Sequence, residues 1–345
     1  MKRWTLGLGA TLLCLTASAC SSSKSASGGS GSSGAGTISS LTVGYYANPN
    51  PERVAQHKGW FDAALGVKVQ WKHFDSGAAM MAAITSGAIQ FTCESGTPPI
   101  VAAVANGDDM KVFWINENAA EALAVNPKSG ITSAADLSGK KIGTILGSTD
   151  YFSLVVAAQN SGVPISKVHV INAPVPDLVA AYKRGDVDGV YIPYPGLGDV
   201  VASGGKVILT SDQVAEKWNY PTFDACVVNQ KWASAHGDVL KTWVSVEDKA
   251  VKYYKSNRAD AIATIASEVN ISAADAKSQS EVYTFPTASE QLMPRWLGAV
   301  GASNSSGVAT SVKLTGDLEV GLKKIDKSPT NAGSVPDPSY VASVK

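Results

Sequence analysis

The feature that most limits how this chain can fold is a strand-then-helix rhythm that runs twice along it. Leu41 to Tyr46 is an apolar strand-like run, and Glu52 to Ala64 follows with Val54, Ala55, Phe61 and Ala64 at helical spacing. Val67, Val69 and Trp71 alternate with Lys68, Gln70 and Lys72 up to Phe74, the period of a half-buried strand. Asp75-Ser76-Gly77 caps a helix to Ser86 that Gly87 closes. A short strand from Ile89 to Cys93 then turns through Ser95-Gly96-Thr97-Pro98-Pro99 into a helix to Asn106, and Lys111 to Ile115 and Glu121 to Val125 are further strands. Near Pro127 the rhythm restarts. Ser133 to Leu137, Tyr151 to Ser161, Pro176 to Arg184 and Gly196 to Ala202 read as helices between strands at Lys141 to Leu146, Val168 to Ile171, Asp188 to Ile192 and Val207 to Thr210. Such repetition predicts an α/β protein with parallel sheets covered on both faces. Beyond Trp218, a strand from Phe223 to Val228 precedes helices at His236 to Ser256, Arg258 to Val269, Ser272 to Val282, Ser289 to Val300 and Ser306 to Lys324. A turn-rich end from Asp326 follows.

The first forty residues follow a different logic. Met1-Lys2-Arg3 is a basic start, and Leu6 to Thr16 is apolar but shorter than the roughly 20 residues a membrane span needs. Ala17-Ser18-Ala19 then leads to Cys20, the layout of a secretory signal with a lipobox-like end, although Ala17 stands where leucine is commoner. The expected outcome is cleavage of residues 1–19 and lipidation of Cys20. Ser21 to Ser40 is almost all Ser, Gly, Ala and Thr, which reads as a flexible tether holding a soluble domain at a membrane.

Composition narrows the function. The formal net charge is zero, so no basic footprint for nucleic acid exists. No two of His57, His73, His169 and His236 have metal-ligand spacing, and CxxC, G-x-S-x-G and P-loop motifs are missing from the sequence. No metal or cofactor is expected. With Cys14 lost in the signal and Cys20 lipidated, Cys93 and Cys226 remain. They can pair in an oxidising compartment, but two separate buried thiols are the favoured expectation.

Five stretches in order carry a resemblance: PERVAQ at Pro51 to Gln56, KHFDSGA at Lys72 to Ala78, ADLSGKKI at Ala135 to Ile142, AYKRGDVD at Ala181 to Asp188 and PTFDACVV at Pro221 to Val228. In them the chain resembles the taurine, sulfonate and nitrate class of periplasmic solute-binding proteins over about 290 residues. The resemblance implies a two-lobed periplasmic-binding-protein fold of type II, with two crossover strands and ligand in the cleft between lobes. The large lobe would hold residues 41–124 and 220–345, and the small lobe 125–219. The implied protein is a monomeric, extracytoplasmic, non-enzymatic capture subunit, partnered by an ABC permease and ATPase.

Ligands of open α/β sheets sit beyond the carboxyl ends of the strands. Three such ends run into helix starts here: Asp75-Ser76-Gly77, Ser95-Gly96-Thr97 and Ser148-Thr149-Asp150. Unpaired N–H groups and the helix dipole make each a candidate anion seat, though each side chain is equally suited to capping. The resemblance implies that Asp224 pairs with a ligand ammonium and that Glu121 fits the pattern. Tyr46, Tyr151 and Tyr194 at strand ends are candidate aromatic walls. Glu94 stands where the taurine pattern is uncharged, which would repel a sulfonate unless paired. The expected ligand is therefore taurine or a related aminosulfonate, with a cationic amine, guanidine or heteroaromatic as the alternative. A thiamine-precursor-type enzyme using His73, next to Asp75, and a sensor lipoprotein are the rival classes.

Overall fold

A computed structural model describes residues 38–118 and 120–344. The expected signal segment, Cys20 and the tether as far as residue 37 lie outside these residues. Among the described residues ten strands form two five-stranded sheets. The first contains β1 (Leu41–Tyr45), β2 (Val69–His73), β3 (Phe91–Gly96), β4 (Met110–Asn118) and β10 (Phe223–Asn229) in the order β2-β1-β3-β10-β4. The second contains β5 (Ala122–Val125), β6 (Lys141–Thr144), β7 (His169–Asn172), β8 (Gly189–Ile192) and β9 (Lys206–Thr210) in the order β7-β6-β8-β5-β9. Within each sheet four strands run in one direction, while β10 in the first and β5 in the second are inserted antiparallel between two of them.

The chain passes between sheets twice. It leaves the first after Asn118 and enters the second at Ala122, then returns from β9 through helix Ser211–Trp218 to β10. A boundary after Ala124 therefore falls inside β5: the run from Glu121 to Val125 reads as a strand of the first unit, but its ladder partners are β8 and β9. The first sheet's core joins both ends of the chain, from Leu41 and Phe91 to Trp243, Leu297 and Val341. The second sheet carries a core on each face.

Helix Gly307–Gly321 ties the lobes together. Val308 and Val312 lie in the first core, whereas Leu314, Leu318 and Leu322 pack on the second. Ser311 Oγ donates to Pro221 O at 2.7 Å, and Tyr220 Oη donates to Thr315 Oγ1 at 3.1 Å. The turn-rich C-terminal segment shields the β4 edge: Val112 N donates to Val335 O and Asp337 N to Val112 O, both at 2.8 Å, which removes an exposed edge.

Several local expectations change. The helix expected over Glu52 to Ala64 is two, Glu52–His57 and Trp60–Leu65, because Gly59 takes a left-handed φ of 63°. Helix Ser211–Trp218, held by a Thr210–Gln213 capping box, has no counterpart in the sequence reading. Ser289 to Val300 is helical only over Ala288–Gln291, since Pro294 lies where a longer helix would need an N–H donor. Cys93 and Cys226 are not separate thiols. They form a disulfide between the neighbouring strands β3 and β10, with Cα atoms 3.8 Å apart. A register shift between Ala225 and Val227 brings Cys226 opposite Cys93.

Candidate ligand-binding cleft

β10 enters the first sheet where β3 and β4 end, so Asp224 stands opposite both Gly96 and Glu117. Asp224 is half-buried and spends one oxygen on a 3.4 Å contact from Asn48 Nδ2. A β-carbon on Gly96 would lie 3.0 Å from Thr149 Cγ2 and 3.3 Å from Asp224 Oδ1. The bare glycine backbone therefore lets the two lobes meet at this point. Thr149 Oγ1 in turn donates to Glu121 Oε1. Asp150 follows on the same helix start, with its Oδ2 2.7 Å from Ser148 Oγ.

This junction is strongly acidic. Glu121 and Asp150 are each 3 % exposed, and Glu121 Oε2 and Asp150 Oδ1 have no hydrogen-bond partner among the described residues. Ser95 Oγ is also buried and unpartnered. Burial pushes the Asp224 carboxyl well above the usual carboxylate range, and Glu117, Glu121, Glu94 and Asp150 push it further. Asp150 is raised first by burial and then by Glu121. Burial raises Glu121 too, against the hydrogen bond from Thr149. Beneath them Glu117, fully buried, accepts from Asn48 Nδ2 at 2.9 Å and Asn50 Nδ2 at 3.1 Å. Burial pushes Glu117 up to about 8 despite those donors.

Glu94 joins this junction through Asn50, whose Nδ2 donates to both Glu94 and Glu117. The Glu94 backbone has a left-handed φ of 66°, unusual for a non-glycine residue. That turn aims the carboxylate at protein donors: Tyr46 N at 2.7 Å, Asn50 Nδ2, and Arg53 Nη2 at 3.5 Å. Glu94 therefore holds the loop after β1 in place, with its carboxylate already engaged by protein donors. Arg53 is also paired with Glu52. Glu52, Glu247 and the two cysteine sulfurs cluster within 4.8 Å, but the disulfide leaves no thiolate there to ligate a metal.

The three helix starts are not equivalent. At helix Gly77–Thr85, Ser76 Oγ accepts from Ala79 N at 3.3 Å, while the Gly77 and Ala78 N–H groups have no intrahelical partner. A β-carbon on Gly77 would lie 3.4 Å from Tyr46 Oη, so the phenol stands beside this positive helix end. At Ser95-Gly96-Thr97 strand β3 runs straight into a helix start as expected, with Gly96 as the N-cap, while Ser95 and Gly96 also pair with β10. Helix Thr97–Ala105 then begins with Pro98 and Pro99, which have no N–H, and Thr97 Oγ1 is engaged by Ser311. At helix Thr149–Asn160, Asp150 in the first turn offsets the dipole.

The structure thus gathers Tyr46, Ser95, Gly96, Glu121, Thr149 and Asp224, with Ser76 and Gly77 beside Tyr46 and Ser148 beside Asp150. Tyr151 instead packs in the small-lobe core against Phe152. Tyr194 touches the cores of both lobes. Asn48, Glu117 and Tyr283 are not among the sequence candidates, and Asp150 enters there only as part of a helix start. Burial raises the Tyr283 phenol, with Glu117, Glu121 and Asp224 as its charged neighbours. Thr284, next along, accepts from Asn118 N at 3.4 Å and so fixes this loop at the crossover. Asp150 was legible in the Ser-Thr-Asp triplet, whereas Tyr283 had no sequence signal.

Comparison with known proteins agrees with this geometry. Residues 48–261 match the family described as NMT1/THI5 like. The chain is 32 % identical over 218 residues to the taurine-binding periplasmic protein of Escherichia coli K12, covering 63 % of this chain and 67 % of that one. The periplasmic aliphatic sulphonate-binding protein SsuA of Escherichia coli superposes with a TM-score of 0.71 at 20 % identity, over 88 % of this chain and 93 % of that one. The MOPS-bound alkanesulfonate-binding protein SsuA of Xanthomonas axonopodis pv. citri gives a TM-score of 0.67 at 18 % identity, over 88 % and 97 %. With two crossing α/β lobes around an acidic cleft and a family match over most of its length, this chain belongs to the NMT1/THI5-like family and has the periplasmic-binding-protein fold.

Proposed function

We propose that this protein captures a small zwitterionic solute outside the cytoplasm and delivers it to an ABC importer, taurine or a related aminosulfonate being the ligand class. The observation that carries this reading is the opposite polarity of the two cleft ends. Glu121, Asp150 and Asp224 gather around Thr149 and Gly96 with no ion-pair partner among the described residues, and suit a ligand's positive nitrogen. The start of helix Gly77–Thr85 with the Tyr46 hydroxyl offers donors and a positive dipole for an anionic group. Binding across the lobes would favour the closed form, because contacts to both lobes exist only there. The taurine-binding relative supports the ligand class. Cys20 would supply the membrane anchor, and no described helix is long and apolar enough to cross a membrane. His73, the residue an enzymatic role would need, lies on the edge strand β2.

Isothermal titration of the purified protein with taurine, ethanesulfonate and ethylamine tests the proposal. Taurine should bind most tightly, since only it fills both ends. Equal binding of ethanesulfonate would remove the acidic end from recognition, and no binding of any of the three would sink the ligand class.

A further inference from the structure

The acidic end is larger than one ammonium requires. An ammonium brings three N–H donors and one charge in a compact tetrahedral head. The junction offers Glu121 Oε2 and Asp150 Oδ1, both buried and unpartnered, and two oxygens of Asp224 that share a single 3.4 Å contact from Asn48. Ser95 Oγ is a third buried polar atom without a partner among the described residues. The charges that act most on Asp224 are the acids Glu117, Glu121, Glu94 and Asp150, and Arg53 is committed to Glu52 and Glu94.

The acceptors also come from different directions. Asp224 rises from β10 in the large lobe, Glu121 from the crossover, and Asp150 from a helix start in the small lobe. A guanidinium is planar, carries five N–H donors in a fixed fork and can meet two carboxylates through separate edges. We infer that the nitrogen end of the ligand is a guanidinium, held between Asp150 and Glu121 of one side and Asp224 of the other. This rests on the solute-capture reading and names the chemistry of its positive end.

The test compares matched ligands by isothermal titration of the purified protein: taurine, 2-guanidinoethanesulfonate and propylguanidine. The guanidino sulfonate should bind at least tenfold more tightly than taurine. Asp150→Asn, which keeps the side chain's shape, should shrink that ratio severalfold, with the circular-dichroism melting curve reporting that the variant is folded. Taurine binding as tightly as its guanidino analogue would overturn the inference and leave the aminosulfonate reading intact. Propylguanidine binding while both sulfonates fail would uphold the guanidinium and discard the anionic end. Failure of all three would overturn both.

Discussion

Asp224 on β10 faces Gly96 on β3 so closely that a β-carbon on the glycine would lie 3.3 Å from the carboxylate oxygen. The same atom would lie 3.0 Å from Thr149 of the opposite lobe. One missing side chain thus sets both the space around the acid and the contact between lobes.

Gly96→Val should therefore weaken ligand binding more than it destabilises the protein. Overpacking at a tight contact costs about 1–3 kcal/mol, and here it is relieved by holding the lobes apart. Titration and small-angle scattering with ligand check this. An unchanged affinity would mean that the Gly96–Thr149 contact plays no part in closure.

Asp224→Ala should cost roughly 2–5 kcal/mol of affinity for a ligand with a cationic nitrogen, the range for truncating one partner of a desolvated charged pair. Titration at fixed pH measures it. Retained affinity would remove Asp224 from the site.

The acids predict an inverted pH dependence. Glu117 is raised from 4.5 to about 8 by burial, so its proton is bound more tightly in the folded protein than in the unfolded chain. Its contribution is fully present below pH 4.5 and is lost as pH rises through about 8. Asp224 and Glu94 shift in the same direction. The ligand-free protein should accordingly melt at a higher temperature at pH 5 than at pH 8, and Glu117→Gln should flatten that slope. A cationic ligand opposes protonation, so binding should release protons, seen as a buffer-dependent enthalpy in titration. Buffer-independent heats would contradict this account of the acidic end.

The Cys93–Cys226 disulfide spans 133 residues and lies directly beside Glu94 and two residues beyond Asp224. Replacing both cysteines with alanine should cost about 2–5 kcal/mol of stability, measured by urea unfolding. It should also lower ligand affinity, because β10 would lose its covalent tie to β3 beside the acid. Full affinity in the folded double variant would separate the disulfide from the cleft.

The sequence by itself determined the strand-helix alternation, because side-chain periodicity is a local consequence of backbone geometry. It also pointed to Asp224, Glu121 and the Ser148-Thr149 helix start, which belong to contiguous, recognisable stretches. The tertiary structure decided which of these meet. Glu94 looked like an extra acid in the cleft, but its left-handed backbone turns the carboxylate onto Tyr46 N and Arg53. Ser95 and Gly96 lie where a strand runs into a helix start, as the sequence indicated, but only the antiparallel ladder with β10 sets them opposite Asp224. Cys93 and Cys226 become partners only through a register shift between strands far apart in the chain. Tyr283 and Glu117 join the acidic end for the same reason. Neighbours brought together by long-range pairing leave no periodic trace in the sequence, and burial, which shifts these acids, belongs to the folded chain alone.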